Sequence, residues 1–408
     1  MIDKFKIENI LNYLFVIYAF LIPLSRAGIA IFALLLPILW FFSKDFKLYL
    51  KYIGNSKVMV YLSLYLLLAF ISISWSFDSI GGLYYFRKYI YIIPLFMIAT
   101  SLDKKYITYI IPSFLLGMLV SEFFSYGIFF ELFHYKNILP TNPTPFMHHI
   151  PYSMFLAFTS LLILNRVFFT QKLGLKIILF IYFILVTSNL FINSGRTGEV
   201  AFILTLIIIL YINIKNKIIS SITIIFLTTI IIFVAYNISP TFKTRVESAK
   251  IEVNKLIDNN DYCTSWGRRV GGLIVAKEII YDKSIFGTGL SYDMVYLKKY
   301  IDNNSSIFPN YQHNSQCVRT LYHYHNYYVQ STVRLGFIGL FIFLMIFYYI
   351  LKLDIQDREI KNILIIFLLV FMISNLFDNL FHSQFGESLF ALFIGLFLAQ
   401  HRVEKGIK

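Results

Sequence analysis

Residues Ile218–Ala235 read IISSITIIFLTTIIIFVA. No charge interrupts this stretch, and as a helix it would rise about 27 Å, close to the thickness of a bilayer's hydrocarbon core. Lys215 and Lys217 stand just before it, and the next basic residue after it is Lys243. A solvent of lipid explains such a segment; a soluble core of this chain's size does not.

The same pattern extends in both directions. Val58–Ile73, Ile107–Phe130, Ile177–Ile192 and Ile363–Leu376 are long apolar runs separated by short polar interruptions. The 408 residues are 58% hydrophobic and only 14% charged, too few charges to cover a soluble surface. Spanning segments are predicted near 10–25, 27–43, 58–74, 83–100, 107–130, 151–168, 174–193, 198–213, 218–236, 335–351, 363–380 and 388–401. Lipid leaves no partner for a free backbone N–H or C=O, so these segments must be helices. The expected fold is an all-α polytopic membrane protein of about 12 transmembrane helices.

A net charge of +14 on a soluble chain would suggest nucleic acid. Here the charge sorts by side. Nineteen lysines and arginines, among them Lys47, Lys104, Lys172, Lys217, Lys361 and Lys405, fall at alternate interruptions. The short loops between hold only Arg26, Arg87, Lys88, Lys136 and Arg196. The positive-inside rule places both termini in the cytoplasm and the chain in a bacterial inner membrane, with no nucleic-acid partner expected. The first apolar run, from Ile10, leads into Pro23-Leu24-Ser25-Arg26 without a small-residue cleavage site, so it reads as a membrane helix and not a signal peptide.

The remaining basic residues lie in one long segment, which divides the chain into residues 1–236 (helices 1–9), 237–334 (a large periplasmic loop) and 335–408 (helices 10–12 and a cytoplasmic tail). The loop is expected to be partly helical, over 241–257, over Gly267–Tyr281, and from about Tyr324 into the next membrane helix. Both cysteines, Cys263 and Cys317, fall within it. An oxidising compartment permits a disulfide between them; two unpaired thiols is the other reading.

Four elements could carry chemistry. Arg196, in Asn193-Ser-Gly-Arg-Thr-Gly198, sits at the outer end of an apolar helix. It is either an interfacial arginine snorkelling to lipid phosphate or an anion clamp. Arg268 and Arg269 open a mostly apolar helix. His313, His323 and His325 cluster just outside the membrane, where a neutral imidazole suits general-base catalysis. Two other readings compete there: interfacial histidines among tyrosines, and a zinc site drawn from His313, Cys317, His323 and His325. Asp378 ends an apolar helix, either orienting a His or Arg or capping the helix. Cations for phosphate, a base for a hydroxyl and aromatics for sugar rings together suit a lipid-linked anionic substrate.

The chain resembles the O-antigen ligase family, which shares a domain with O-antigen polymerases. The most specific part is His323-x-His325-Asn326 followed by Gly336 and Gly339 at the entry of a membrane helix. Arg196 in Ser-Gly-Arg-Thr-Gly and Arg269, ahead of Ser284-Ile-Phe-Gly-Thr-Gly289, match the family's two arginines. The resemblance implies an inverting glycosyltransferase that needs neither metal nor other cofactor. Its donor would be a polysaccharide on undecaprenyl pyrophosphate, its acceptor a lipid A-core sugar hydroxyl or, in a polymerase, another lipid-linked repeat unit. His325 would be the base and Arg196 and Arg269 the leaving-group stabilisers, with Arg268, His323, Asn326 and Asp378 binding substrate. A lipid-linked oligosaccharide flippase is the rival of another class; it has no need of a large external loop. A binding or sensory membrane protein would need no paired arginine and base.

Overall fold

The computed structural model describes residues 4–43, 45–291 and 294–407, and these contain helices and no β-strand. In chain order the helices are α1 (Lys4–Leu21), α2 (Arg26–Phe41), α3 (Phe46–Asn55), α4 (Lys57–Ile71), α5 (Ser79–Phe86), α6 (Pro94–Ser101), α7 (Lys104–Phe129), α8 (His149–Phe169) and α9 (Leu173–Ile192). They continue with α10 (Arg196–Asn213), α11 (Lys217–Ile238), α12 (Pro240–Asn259), α13 (Ser265–Asp282), α14 (Val295–Asn303), α15 (Tyr311–Arg319), α16 (Tyr327–Leu351), α17 (Arg358–Phe377) and α18 (Gln384–Glu404).

Seven of these are long and apolar enough to cross a membrane: α4 with the 3-10 turn after it, α7, α8, α9, α11, α16 and α17. An eighth is reached if α2 and α3, bent by 110°, count as one span. The chain is a multi-pass membrane protein. Among the roughly twelve spans expected, the segment near 83–100 is not wound as a single α-helix. There the chain runs through α5, a 3-10 turn over Arg87–Ile92 and α6, which begins at Pro94. Pro94 has no N–H to continue an α-helix from the residues before it, so it starts a new one. The expected segments near 10–25, 198–213 and 388–401 are helical, in α1, α10 and α18. The last two carry Glu199 and Glu387 in their first turns.

Burial separates the helices. Phe385 to Ala399 of α18 is buried throughout, so this helix is packed on every side by protein. In α11 the opposite holds: Ile218, Ile222, Ile225, Phe226 and Phe233 are exposed and only 11% of the apolar window is covered. An apolar face left bare all along a helix has lipid for a solvent.

Contacts sort the helix ends into two faces. On one, Arg402 donates to the carbonyls of Thr100 and Leu102, Lys405 pairs with Asp354 at 2.6 Å, and Arg166 pairs with Glu359 at 3.1 Å. On the other, Gln384 donates to the Arg26 carbonyl at 2.7 Å and the Ser194 N–H donates to Asn142 at 3.1 Å.

The second face carries the long segment, which has a small core of its own built from Val275, Ile279, Leu297, Ile301, Phe308 and Val318. Cys263 and Cys317 are joined as a disulfide, with Cα atoms 5.0 Å apart, tying the start of α13 to α15. The zinc set weighed from sequence does not converge. Cys317 is spent in the disulfide, His313 Nε2 lies 3.2 Å from Cys263 Sγ, and a disulfide sulfur is no thiolate ligand.

The segment is locked into the bundle at a break in α16. Gly336 has φ +66°, and the stretch 284–289 inserts there. Thr288 N–H donates to the Val333 carbonyl at 2.8 Å, Gly289 N–H to Arg334 at 3.0 Å, and Phe337 N–H to Ser284 at 2.8 Å. These bonds replace the helical ones the break removes, as backbone at membrane depth requires. The approach is close enough that a Cβ on Gly336 would stand 1.9 Å from the Ile285 carbonyl oxygen.

Candidate active site

The site forms where the turn before α16 meets the end of α17. Asn326 caps α16, its side chain accepting from Val329 N–H at 3.0 Å. That cap is the role the structure gives Asn326. The preceding residue, His325, has φ +50°, a conformation uncommon outside glycine that recurs at functional sites. Its own N–H donates to His323 Nδ1 at 3.1 Å, and Tyr324 N–H donates to Gln330 Oε1 at 3.2 Å. Three local hydrogen bonds therefore fix this turn and the direction of both imidazoles.

Asp378 meets them from the end of α17. Its Oδ2 lies 3.3 Å from His325 Nδ1 and its Oδ1 lies 3.7 Å from His323 Nε2. Burial works against the carboxylate charge. The hydrogen bond from His325 and the nearby imidazoles outweigh it and hold the Asp378 pKa at about 2. An ionised carboxylate only accepts, so in this contact His325 Nδ1 donates, which leaves Nε2 as the nitrogen directed away from Asp378. That is the arrangement of an oriented general base. His323 is held differently: burial lowers its pKa to about 4, more than Asp378 restores, so it is neutral near pH 7. With Nδ1 accepting from His325 N–H, its hydrogen sits on Nε2, toward Asp378.

Asp378 also acts on one of the cations, Arg269. Burial lowers the Arg269 pKa; of the charges around it Asp378 and Glu252 oppose that shift while Arg196 and Arg268 add to it. Arg269 still carries its charge. Arg196, the first residue of α10, is half-buried, and its charge acts on Arg245 as on Arg269. Arg245, in α12, donates to the Ser194 carbonyl in the Ser-Gly-Arg-Thr-Gly turn. Its pKa is lowered by burial first and by Arg196 second, with Glu199 opposing. Arg268 turns away, donating to Thr320 Oγ1 at 3.3 Å on the exposed side of the loop.

A cavity of about 480 Å³ opens beside these groups, with Arg26, Tyr85, Lys88, His148, His323 and Asp378 in its lining. His325, Arg196 and Arg269 do not line it. Asp378 is the residue common to the cavity, to His325 and to the charges acting on Arg269. It stands at the C-terminal end of α17, where it can face all three. Burial lowers the His148 pKa, with Asp378 opposing, so this ring too is neutral near pH 7. The ligand atoms of His323, His325 and Asp378 lie within 4.8 Å of one another, close enough that these three could share a metal ion.

Arg26, Lys88, His148 and Arg245 were not singled out from the sequence. Arg26 and Lys88 carried a signal, as two of the few basic residues in the short outer loops. Arg245 carried none: it sits in a charged amphipathic stretch where any lysine or arginine looks alike.

Comparison with known families gives one match. Residues 181–344 fit the family model described as O-antigen ligase, a stretch that contains Arg196, Arg245, Arg269, His323 and His325. No curated protein matches the chain.

Proposed function

We propose that this membrane protein, with its O-antigen ligase-type segment at 181–344, is a ligase-type glycosyltransferase of the inner membrane. It moves a polysaccharide from undecaprenyl pyrophosphate to a sugar hydroxyl of the lipid A core, on the periplasmic face. The observation that carries the reading is the Asp378–His325 hydrogen bond, with Arg269 near enough for the Asp378 charge to act on it.

His325 Nε2 takes the proton of the acceptor hydroxyl as that oxygen attacks the anomeric carbon. Asp378 holds the Nδ1 hydrogen and stabilises the imidazolium that forms. The bond from the anomeric carbon to the pyrophosphate oxygen breaks on the opposite face, so the configuration inverts. Arg196 and Arg269 stabilise the charge developing on the leaving pyrophosphate, an interaction that strengthens as the bond breaks. No step needs a metal. A loss of transfer on chelation, restored by a divalent ion, would instead assign the His323–His325–Asp378 group to a metal.

The test is transfer by the purified protein in proteoliposomes holding a glycan on undecaprenyl pyrophosphate. The expected result is glycan on added lipid A core, free undecaprenyl pyrophosphate, an inverted linkage and no effect of EDTA. Elongation of the lipid-linked glycan with none reaching lipid A core would make the protein a polymerase. Movement of the donor between leaflets without transfer would make it a flippase.

A further inference from the structure

On the face opposite the candidate active site, where α16 and α18 end, lies an open cleft of about 570 Å³. Three lysines from three elements line it: Lys51 of α3, Lys57 at the start of α4 and Lys352 just past α16. All three are exposed, and the lining holds no carboxylate. Among the described residues none of the three forms a salt bridge. Two acids on the same face are engaged elsewhere. Asp354 pairs with Lys405, and Glu404 accepts from the N–H groups of Gln356 at 2.6 Å and Asp357 at 3.1 Å. Lysines scattered over one side of a membrane protein report only its orientation. These three converge on a single cleft, where their potentials add.

The rest of the cleft is largely apolar. Val58, Leu398 and the rings of Tyr52 and Tyr349 line it, and the Tyr52 hydroxyl is engaged by the Leu398 carbonyl at 3.3 Å. Tyr349 stacks on Tyr61 of α4 at 5.1 Å, closing the seam between the two helices. From Lys352 an exposed stripe runs along α16 through Tyr348, Leu344 and Phe341. Its steps of three and four residues keep it on one helix face. From Phe341 to Lys352 the helix rises about 16 Å, the depth of one leaflet's hydrocarbon. A free phosphate would meet the lysines and leave the stripe unused. A zwitterionic lipid would cover the stripe and leave the lysine charge uncompensated. An anionic glycerophospholipid matches both, with its charge at the headgroup and its chains below.

We propose that this cleft binds an anionic glycerophospholipid, its phosphate among Lys51, Lys57 and Lys352 and an acyl chain along the α16 stripe. Bound there, the lipid ties α3 and α4 to the end of α16. The site lies at the far end of α16 from His325 and is independent of what the active-site cavity accepts or transfers.

The experiment titrates the whole protein in detergent, at constant ionic strength, with phosphatidylglycerol, with phosphatidylcholine of the same acyl chains, or with inorganic phosphate. Thermal unfolding should shift upward, saturably, with phosphatidylglycerol, less with phosphatidylcholine and not with phosphate. Lys352→Gln alone should weaken phosphatidylglycerol binding about fivefold, and the triple variant Lys51→Gln, Lys57→Gln, Lys352→Gln on the order of 100-fold, down to the phosphatidylcholine level. A second triple variant, Lys104→Gln, Lys105→Gln, Lys361→Gln, removes the same charge from exposed positions outside the cleft and should bind as wild type does. The proposal is overturned if the two lipids stabilise equally, if inorganic phosphate reproduces the shift, or if the two triple variants lose binding alike. Should the cleft triple variant fail to fold, Lys352→Gln decides the matter, and wild-type binding by it would overturn the proposal.

Discussion

Asp378 is the residue on which the others depend, because it alone touches both imidazoles and acts on Arg269. Arg269→Lys is expected to lose transfer by about 10- to 100-fold, since an ammonium keeps the charge but not the planar fork that grips two phosphate oxygens. Single-turnover rates with saturating donor would measure it; an unchanged rate would remove Arg269 from the leaving-group role. His323 gives a stability prediction whose sign follows from its environment. Its folded pKa of about 4 lies below the ordinary 6.5, so the unfolded chain takes up that proton first as pH falls. Stability should drop between about pH 6.5 and 4, and His323→Gln should flatten that drop in thermal unfolding profiles. Asp378, with its pKa held at about 2, adds to the drop only below about pH 5, where the unfolded carboxylate begins to take up protons. At this scale the sequence was legible where a charge stands against an apolar background, as Arg196 and Asp378 do. Arg245 and Arg268 show the limit. Both read as loop arginines, yet the first reaches back to the Ser194 carbonyl and the second turns out to Thr320. That difference is set by how α12 and α13 dock, which no local pattern records.

Among the elements, α16 and the stretch that breaks it form the most exacting junction. Gly336→Ala puts a Cβ against the Ile285 carbonyl and forces a positive φ on alanine, so it should cost on the order of 3 kcal/mol or more. Gly174→Ala, where nothing lies within 4 Å, is the matched control and should be neutral. Thermal unfolding of the two variants side by side makes the comparison. The Cys263–Cys317 bond constrains a long loop, and replacing both cysteines by serine should cost about 4 kcal/mol by loop entropy, measured as unfolding of the loop unit. Gly287, Gly289 and Gly336 stood out in the sequence as a pattern shared with a family, but nothing local said that one stretch fills the gap in the other. The breaks at α5 and α6 escaped for a simpler reason. Hydropathy counts apolar residues and is blind to whether they wind as one α-helix or as three short turns.

For the whole molecule, the division of helix ends into two faces was the most legible feature, because lysine and arginine bias reports it directly. Less legible was which helices meet lipid: α11 and α18 are both apolar, yet one is almost bare and the other wholly buried. The sidedness gives a direct prediction. A single cysteine at Asn303 should label from outside intact cells and one at Asn216 should not, the native cysteines being paired. The reverse pattern would turn the protein over in the membrane and put His325 on the wrong side for the proposed acceptor. The central claim, that His325 held by Asp378 is the base of a glycosyl transfer, is tested by the transfer rate of a well-folded His325→Ala protein in proteoliposomes. Removing a general base should slow the reaction about 100- to 10,000-fold while donor binding persists. Transfer at a near-normal rate by that variant would contradict the account.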